Sequence, residues 1–519
     1  MSASQEKKKR ISGGREEAEK LAAQQAEEAR KKSLKKVRNI IIAVIVVLVI
    51  AAIFIINSNL FYTGMTAVEV GGTRYTAAET NYIYRTIYSN YVQQLSEAAQ
   101  QNGMDAETYT KLMGLDTSKP LSEQLCPYGE TENETWEDFF RTETLVALRK
   151  LTMHKDKADA EGFKLTDEQI EELDSDLVMF DYYASMSGFA SLDQYFAAQF
   201  GKGVTMDTVR KMAQLSELSA KYAQNKQDSF TYSDEELDAW YAEHRDEYDV
   251  ISYRQTFVST SSTAESTEEE KAEAMNDAKL KAEQLLAIAT DEATFESLAA
   301  GNEMRVENPE PSGRSHALGK NLNSSYKDWL LDAARKPGDM TVLESGSGCY
   351  VLYFVGREDN SYALKQVRHI LVKAEADDSG VYTDEAKEAA KTKAQEYLDE
   401  WKAGEATEES FAELAKLYSE DTGSSQNGGL YDQVVRYSYV QEFEDFAFDE
   451  SRKTGDTGIV YGESASYAGY HVMYFVGEGE RYDHFIADSE LRSAAAEAWE
   501  AEALSDYLAA TGYSFRYVK

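Results

Sequence analysis

The pattern of apolar and polar positions divides the chain into three regimes. Ile40–Ile56 is an unbroken run of 17 apolar residues, and no charge occurs from Asn39 to Val68. As a helix the run spans about 25 Å, and extending it through Tyr62 predicts a crossing of the ~30 Å bilayer core. Residues 62–250 then follow a helical period, after a short hairpin expected at 68–76. Helices are predicted over about 77–102, 135–160, 166–186, 204–228 and 233–249. Three of them open on capping boxes: Thr76 with Glu79, Thr166 with Gln169, and Ser233 with Glu236. The third regime mixes helices with short, strongly apolar β-runs. Two of these, 363–373 and 469–477, read as buried strands because aliphatic and aromatic residues dominate without a helical period. A long helical pattern at 484–508 follows.

Charge sharpens the first regime. The net charge is −38. Residues 1–38 hold 12 Lys and Arg against 6 Glu, a balance of +6, which leaves 42 basic and 86 acidic residues over 39–519. Basic residues precede the apolar run and none follows until Arg74, so the positive-inside rule predicts a cytoplasmic tail (1–38) and a single-pass signal-anchor (39–61). Everything beyond would lie outside the cell membrane. Asn57–Asn59 makes a poor cleavage site for a signal peptide. So acidic a body disfavours nucleic acid, whose phosphates need cations. The two cysteines, Cys126 and Cys349, form no CxxC, and a disulfide between them has no support from spacing. No HExxH, GxSxG, P-loop or EF-hand pattern occurs, so no metal or cofactor is expected.

The candidate chemistry sits in 363–480. Each buried strand carries a histidine, His369 and His471, and the chain has only six. Between them stand, in order, the stretch 411–421 (FAELAKLYSED), the turn Gly428-Gly429-Leu430 and the stretch 443–448 (FEDFAF). A lone strand histidine is usually structural, and any one of these motifs alone is weak. Their order resembles the parvulin family of peptidyl-prolyl isomerases over about 115 residues.

That resemblance implies an α+β isomerase domain at 359–482. It implies catalytic roles for His369, Asp421 and His471, and a proline pocket walled by Leu430, Tyr439 and Phe443. The sequence departs from the family at Tyr439, where many members carry Met, and at Ala468, a frequent Ser. One extra residue also lies between Leu430 and Phe443. The loop after the first strand, 373–380, is net acidic, so preference for phosphorylated substrates is not expected.

Residues 251–358 read as an eroded copy of the same unit. The stretch 348–359 (GCYVLYFVGRED) parallels 469–480 (GYHVMYFVGEGE), with Gln255 in the place of His369 and Tyr350 in that of His471. The helical region 62–250, completed by 483–519, is similar to the chaperone segment of extracytoplasmic foldases of the PrsA and SurA type. The aromatic stripe at 180–200 is expected mainly in its core. The implied function is isomerisation of X–Pro bonds in unfolded secreted proteins, with chaperone activity. A non-catalytic holdase and a cell-surface adaptor are the alternatives. Clients, oligomeric state and the residue preferred before proline are not legible.

Overall fold

The computed structural model describes residues 30–49, 59–263, 266–301, 314–377, 379–464 and 466–519. The expected basic tail lies almost wholly outside them. The membrane anchor is corrected: among the described residues no helix is long and apolar enough to cross a membrane. A helix covers 30–49, but its first residues are the charged Arg30–Arg38, and 50–58 of the proposed span lie outside the described residues. The α+β class stands without its transmembrane component.

The chain forms two compact units, one of residues up to Ser229 with Ala495–Lys519, the other Phe230–Ala494. The first is mainly helical. Helix Ala77–Gln101 starts at Thr76, whose side chain accepts from the Glu79 amide while Glu79 caps back. Helices Trp136–Glu161 and Asp167–Met186 start on similar boxes at Thr135 and Thr166. Helices Ala77–Gln101 and Trp136–Glu161 share a core of Tyr84, Trp136, Phe140 and Leu148, all fully buried. The hairpin of β1 (Thr66–Val70) and β2 (Thr73–Thr76) gains the C-terminal strand Ala509–Thr511 on its open edge. Asn81 holds this end as well, donating to the Tyr517 carbonyl and accepting from the Lys519 amide. The aromatic stripe is divided: Phe196 is buried, but Tyr182 and Tyr183 are exposed.

The second unit holds two four-stranded antiparallel sheets. One comprises β3 (Val250–Ser259), β4 (Ser315–Leu318), β5 (Met340–Ser345) and β6 (Gly348–Glu358), in the order β4-β3-β6-β5. The other comprises β7 (Ala363–Lys373), β8 (Leu430–Val434), β9 (Thr457–Glu463) and β10 (Ala468–Arg481), in the order β8-β7-β10-β9. Each late strand takes the same place in its sheet, so the two topologies are equivalent.

Strand alternation splits the second sheet into two faces. Ile370, Val372, Val472 and Tyr474 face the helices Asp384–Ala403 and Glu408–Tyr418, through Ala394, Leu398, Trp401 and Phe411. Val367, Met473 and Phe475 lie on the opposite face, under the short helix Gln441–Ala447. That face carries both histidines. Cys126 and Cys349 are buried and free, one in each unit.

Candidate active site

The register of β7 and β10 creates the site. His369 pairs with Met473 and His471 with Leu371, so the histidines are diagonal neighbours on one face. Diagonal side chains across antiparallel strands are within reach of long or aromatic groups. The two Nδ1 atoms are 2.9 Å apart and both rings are buried. On its other side His369 Nε2 meets Asp421 Oδ2 at 2.9 Å and Ser424 Oγ at 3.1 Å. Asp421 also accepts from the Ser424 hydroxyl and, at 3.0 Å, from the Tyr431 hydroxyl. At the far end the Tyr467 hydroxyl lies 3.0 Å from His471 Nε2.

Glycines make room for this chain. Gly429 has φ +70°, and a Cβ there would meet the His369 carbonyl oxygen at 2.1 Å. Its own carbonyl accepts from the His369 amide, which ties the turn to β7. A Cβ on Gly462 would approach His471 Nε2 to 2.7 Å, so β9 can pass the imidazole only as glycine.

An ionised carboxylate can only accept, which orders the protons along the chain. His369 presents Nε2–H to Asp421, and its Nδ1 accepts from His471 Nδ1–H. His471 Nε2 then accepts from Tyr467. Hydrogen bonding from His369 and Ser424 holds the Asp421 carboxyl well below its ordinary range. Burial, reinforced by the neighbouring His369, lowers His471 to about 3. Burial and the Asp421 charge push Tyr431 up to about 12. At neutral pH His471 is therefore neutral and Asp421 ionised.

The sign of the pH dependence follows. An unfolded histidine titrates near 6.5. Below that the unfolded chain takes up a proton that folded His471 refuses until about pH 3. This contribution to stability is complete above pH 6.5 and falls as pH drops toward 3. The depressed Asp421 acts in the same direction at lower pH, its contribution present above the ordinary carboxyl value and lost below it. Protection of the 363–480 amides from hydrogen exchange should weaken progressively from pH 6.5 to 4. A His471→Leu variant should lose most of that slope, about one proton's worth.

Phe443 roofs the pair. Its ring centroid lies 5.6 Å from that of His369 and 5.5 Å from that of His471, edge-on to both. Tyr439 stacks on Phe443 at 5.0 Å and 14°, and Tyr431 stands edge-on to both aromatics. Leu430 is not among them. It pairs with Arg368, whereas Tyr431 pairs with Val367 on the histidine face. Successive strand residues point to opposite faces, so Tyr431 takes the place expected for Leu430. The one extra residue noted between Leu430 and Phe443 marked this shift. Ser424 and Tyr467, unnoticed in the sequence, complete the chain. The Ser lies three residues after Asp421, but the Tyr467 contact had no sequence signal, being made across the turn into β10.

In the first sheet Gln255 pairs with Leu352 and Phe257 with Tyr350, the register of His369–Met473 and Leu371–His471. Tyr350 packs on Phe257 and Tyr326 instead of an imidazole. A separate group of metal-ligand types, Asp238, Asp483 and His484, is already engaged, both carboxylates pairing with Arg481 and His484 Nε2 hydrogen-bonded to Asp238 at 2.8 Å.

Residues 369–477 match the rotamase family, described as the PPIC-type PPIase domain. This stretch is thus similar to parvulin-type isomerase domains. The chain is 29% identical over 203 residues to the chaperone SurA of Alkalilimnicola ehrlichii, covering 38% of this chain and 42% of that protein. It is 36% identical over 124 residues to SurA of Pseudomonas fluorescens, covering 24% and 25%. It is 40% identical over 73 residues to the foldase protein PrsA 1 of Listeria innocua, covering 14% and 24%. The chain thus spans less than half the length of these curated relatives. The crystal structure of PrsA from Bacillus subtilis aligns over 73% of this chain and 88% of its own at 15% identity, with a TM-score of 0.28. The parvulin-type domain carries both imidazoles, and the equivalent sheet before it carries neither.

Proposed function

We propose that the chain is a chaperone-foldase that isomerises X–Pro bonds in unfolded polypeptides through its parvulin-type domain. The observation that carries this is the hydrogen-bonded pair of buried imidazoles beneath Phe443. An X–Pro bond turns slowly because its C–N bond has partial double-bond character, a barrier of about 18–20 kcal/mol. Lowering it needs no nucleophile. It needs a slot for the proline ring and a polar surround that favours the twisted amide over the planar one.

In this reading Tyr431, Tyr439 and Phe443 wall the slot. His369 and His471 form its floor, held in one tautomeric state by Asp421 and Tyr467. Asp421 acts through His369, since its acceptor oxygen is already shared by three donors. The sheet of 250–358, lacking the imidazoles, binds or supports without isomerising. The helical unit would hold clients. Val178, Met179, Tyr182, Tyr183 and Met186 lie exposed along one helix, and Met and Tyr are adaptable contact residues.

The test uses the full chain in two assays. It should accelerate isomerisation of a short prolyl peptide, and it should suppress aggregation of an unfolded client. Replacing Met179, Tyr182 and Met186 with serine should weaken the second activity and leave the first unchanged. No acceleration by the wild-type chain leaves the holdase and adaptor alternatives, and failure to suppress aggregation as well favours the adaptor.

A further inference from the structure

The loop of residues 435–440, between β8 and helix Gln441–Ala447, is fastened both within its own domain and from the preceding sheet, and its Arg436 amide donates to the Tyr362 hydroxyl at 3.1 Å. Within its own domain, Glu444 Oε1 accepts from the amides of Ser438 at 2.7 Å and Tyr439 at 2.9 Å. The second fastening reaches the preceding sheet. The Tyr437 ring lies flat on His316 of β4, centroids 3.8 Å apart and planes 4° apart. Its hydroxyl donates to Glu358 at the end of β6. Ser252 of β3 in turn binds His316 Nδ1 at 2.7 Å. Three strands of the copy that lacks the histidine pair thus hold one tyrosine of the copy that has it.

Tyr437 also sits at φ +66°, one of three non-glycine residues with positive φ among those described. A residue with a bulky side chain rarely adopts this conformation, which persists only where surroundings impose it. The stack and the hydroxyl bond hold its side chain, while Tyr362 and Glu444 hold the amides of Arg436 and Ser438 on either side. Packing does not wedge the ring in place, since a cavity of about 630 Å³ opens beside it, bordered by His316, Glu358 and Arg436. Two residues on, Tyr439 stacks on Phe443 over the imidazoles.

We infer that Tyr437 is a positioning residue: the eroded copy, through His316 and Glu358, sets the loop that holds the Tyr439 wall of the proline slot. This assigns the first sheet a task in the reaction of the second, and it rests on the functional reading above. Neither His316 nor Glu358 approaches the imidazole pair, so their effect passes through backbone placement alone. Loosening the latch leaves the floor of the site intact and frees one wall. The signature is a rise in KM at nearly constant kcat.

The experiment compares full-length wild type with His316→Ala, Glu358→Ala, Glu358→Gln and Tyr437→Asn in the prolyl-peptide assay. Asparagine tolerates positive φ, so Tyr437→Asn removes the latch without adding strain. KM should rise about fivefold in His316→Ala, Glu358→Ala and Tyr437→Asn, the equivalent of about 1 kcal/mol. Glu358→Gln, which still accepts the hydroxyl, should stay near wild type. Hydrogen exchange at the Ser438 and Tyr439 amides should quicken in the same three variants while the 369 and 471 amides stay protected, which separates a loosened loop from an unfolded domain. Unchanged KM and unchanged loop exchange in an active enzyme overturn the inference and spare the function. An inactive wild-type chain overturns both.

Discussion

Replacing His369 with glutamine and His471 with tyrosine together, the pair present at the equivalent positions of the first sheet, should lower kcat/KM for a prolyl peptide by about 100-fold, some 2.7 kcal/mol of barrier. The loss should fall mainly on kcat. The slot walls Tyr431, Tyr439 and Phe443 remain, so substrate still docks. What disappears is the ordered chain from Tyr467 through two imidazoles to Asp421. Glutamine can still donate to Asp421, but it cannot present a second ring nitrogen to residue 471. The single change His369→Ala should cost as much and also destabilise the domain. It leaves His471 Nδ1 buried without a partner and removes one of Asp421's three donors, and an unmatched buried polar group costs about 1–3 kcal/mol. Equal kcat/KM in the double variant would show that the imidazoles only hold the sheet together.

The second large effect is on stability. Phe443 is 2% exposed and touches both imidazole rings, Tyr431 and Tyr439. Phe443→Ala should destabilise the domain by about 3–5 kcal/mol, lowering its thermal midpoint by roughly 10 °C. It also opens the shielded imidazoles to water, which relaxes the burial that keeps His471 neutral. Its pKa should therefore climb from about 3 toward the ordinary histidine value, and NMR titration of the ring would read this directly. Tyr439→Ala offers the contrast. Tyr439 is only partly buried, so little stability should be lost while KM rises. A Phe443→Ala domain as stable as wild type would mean that the roof is not part of the core.

Much of the site could be read from the chain because its motifs are local. The strand pattern of 363–373 and 469–477, the glycine turn at 428–429 and the helix with Phe443 each announce themselves over a few residues. The capping boxes at Thr76, Thr166 and Ser233 worked for the same reason: a cap is a contact between residues three apart. Leu430 failed on a matter of one residue. Period-two alternation inverts every side chain on a one-residue shift, and only the pairing of Tyr431 with Val367 settles which neighbour faces inward. The apolar run misled in another way. Hydropathy reports composition, whereas a membrane span needs a helix long and apolar throughout, and none stands among the described residues.

The chain by itself determined which segments become strands and helices, because periodicity, capping and glycine placement act within a few residues. It also determined that two histidines would stand on matched strands. Tertiary structure alone decided that those imidazoles meet diagonally, that Tyr467 and Ser424 extend their chain, and that Tyr437 is held by His316 and Glu358. Each of those contacts joins residues on separate elements or across a turn. Its existence depends on register and strand order, which no local pattern encodes.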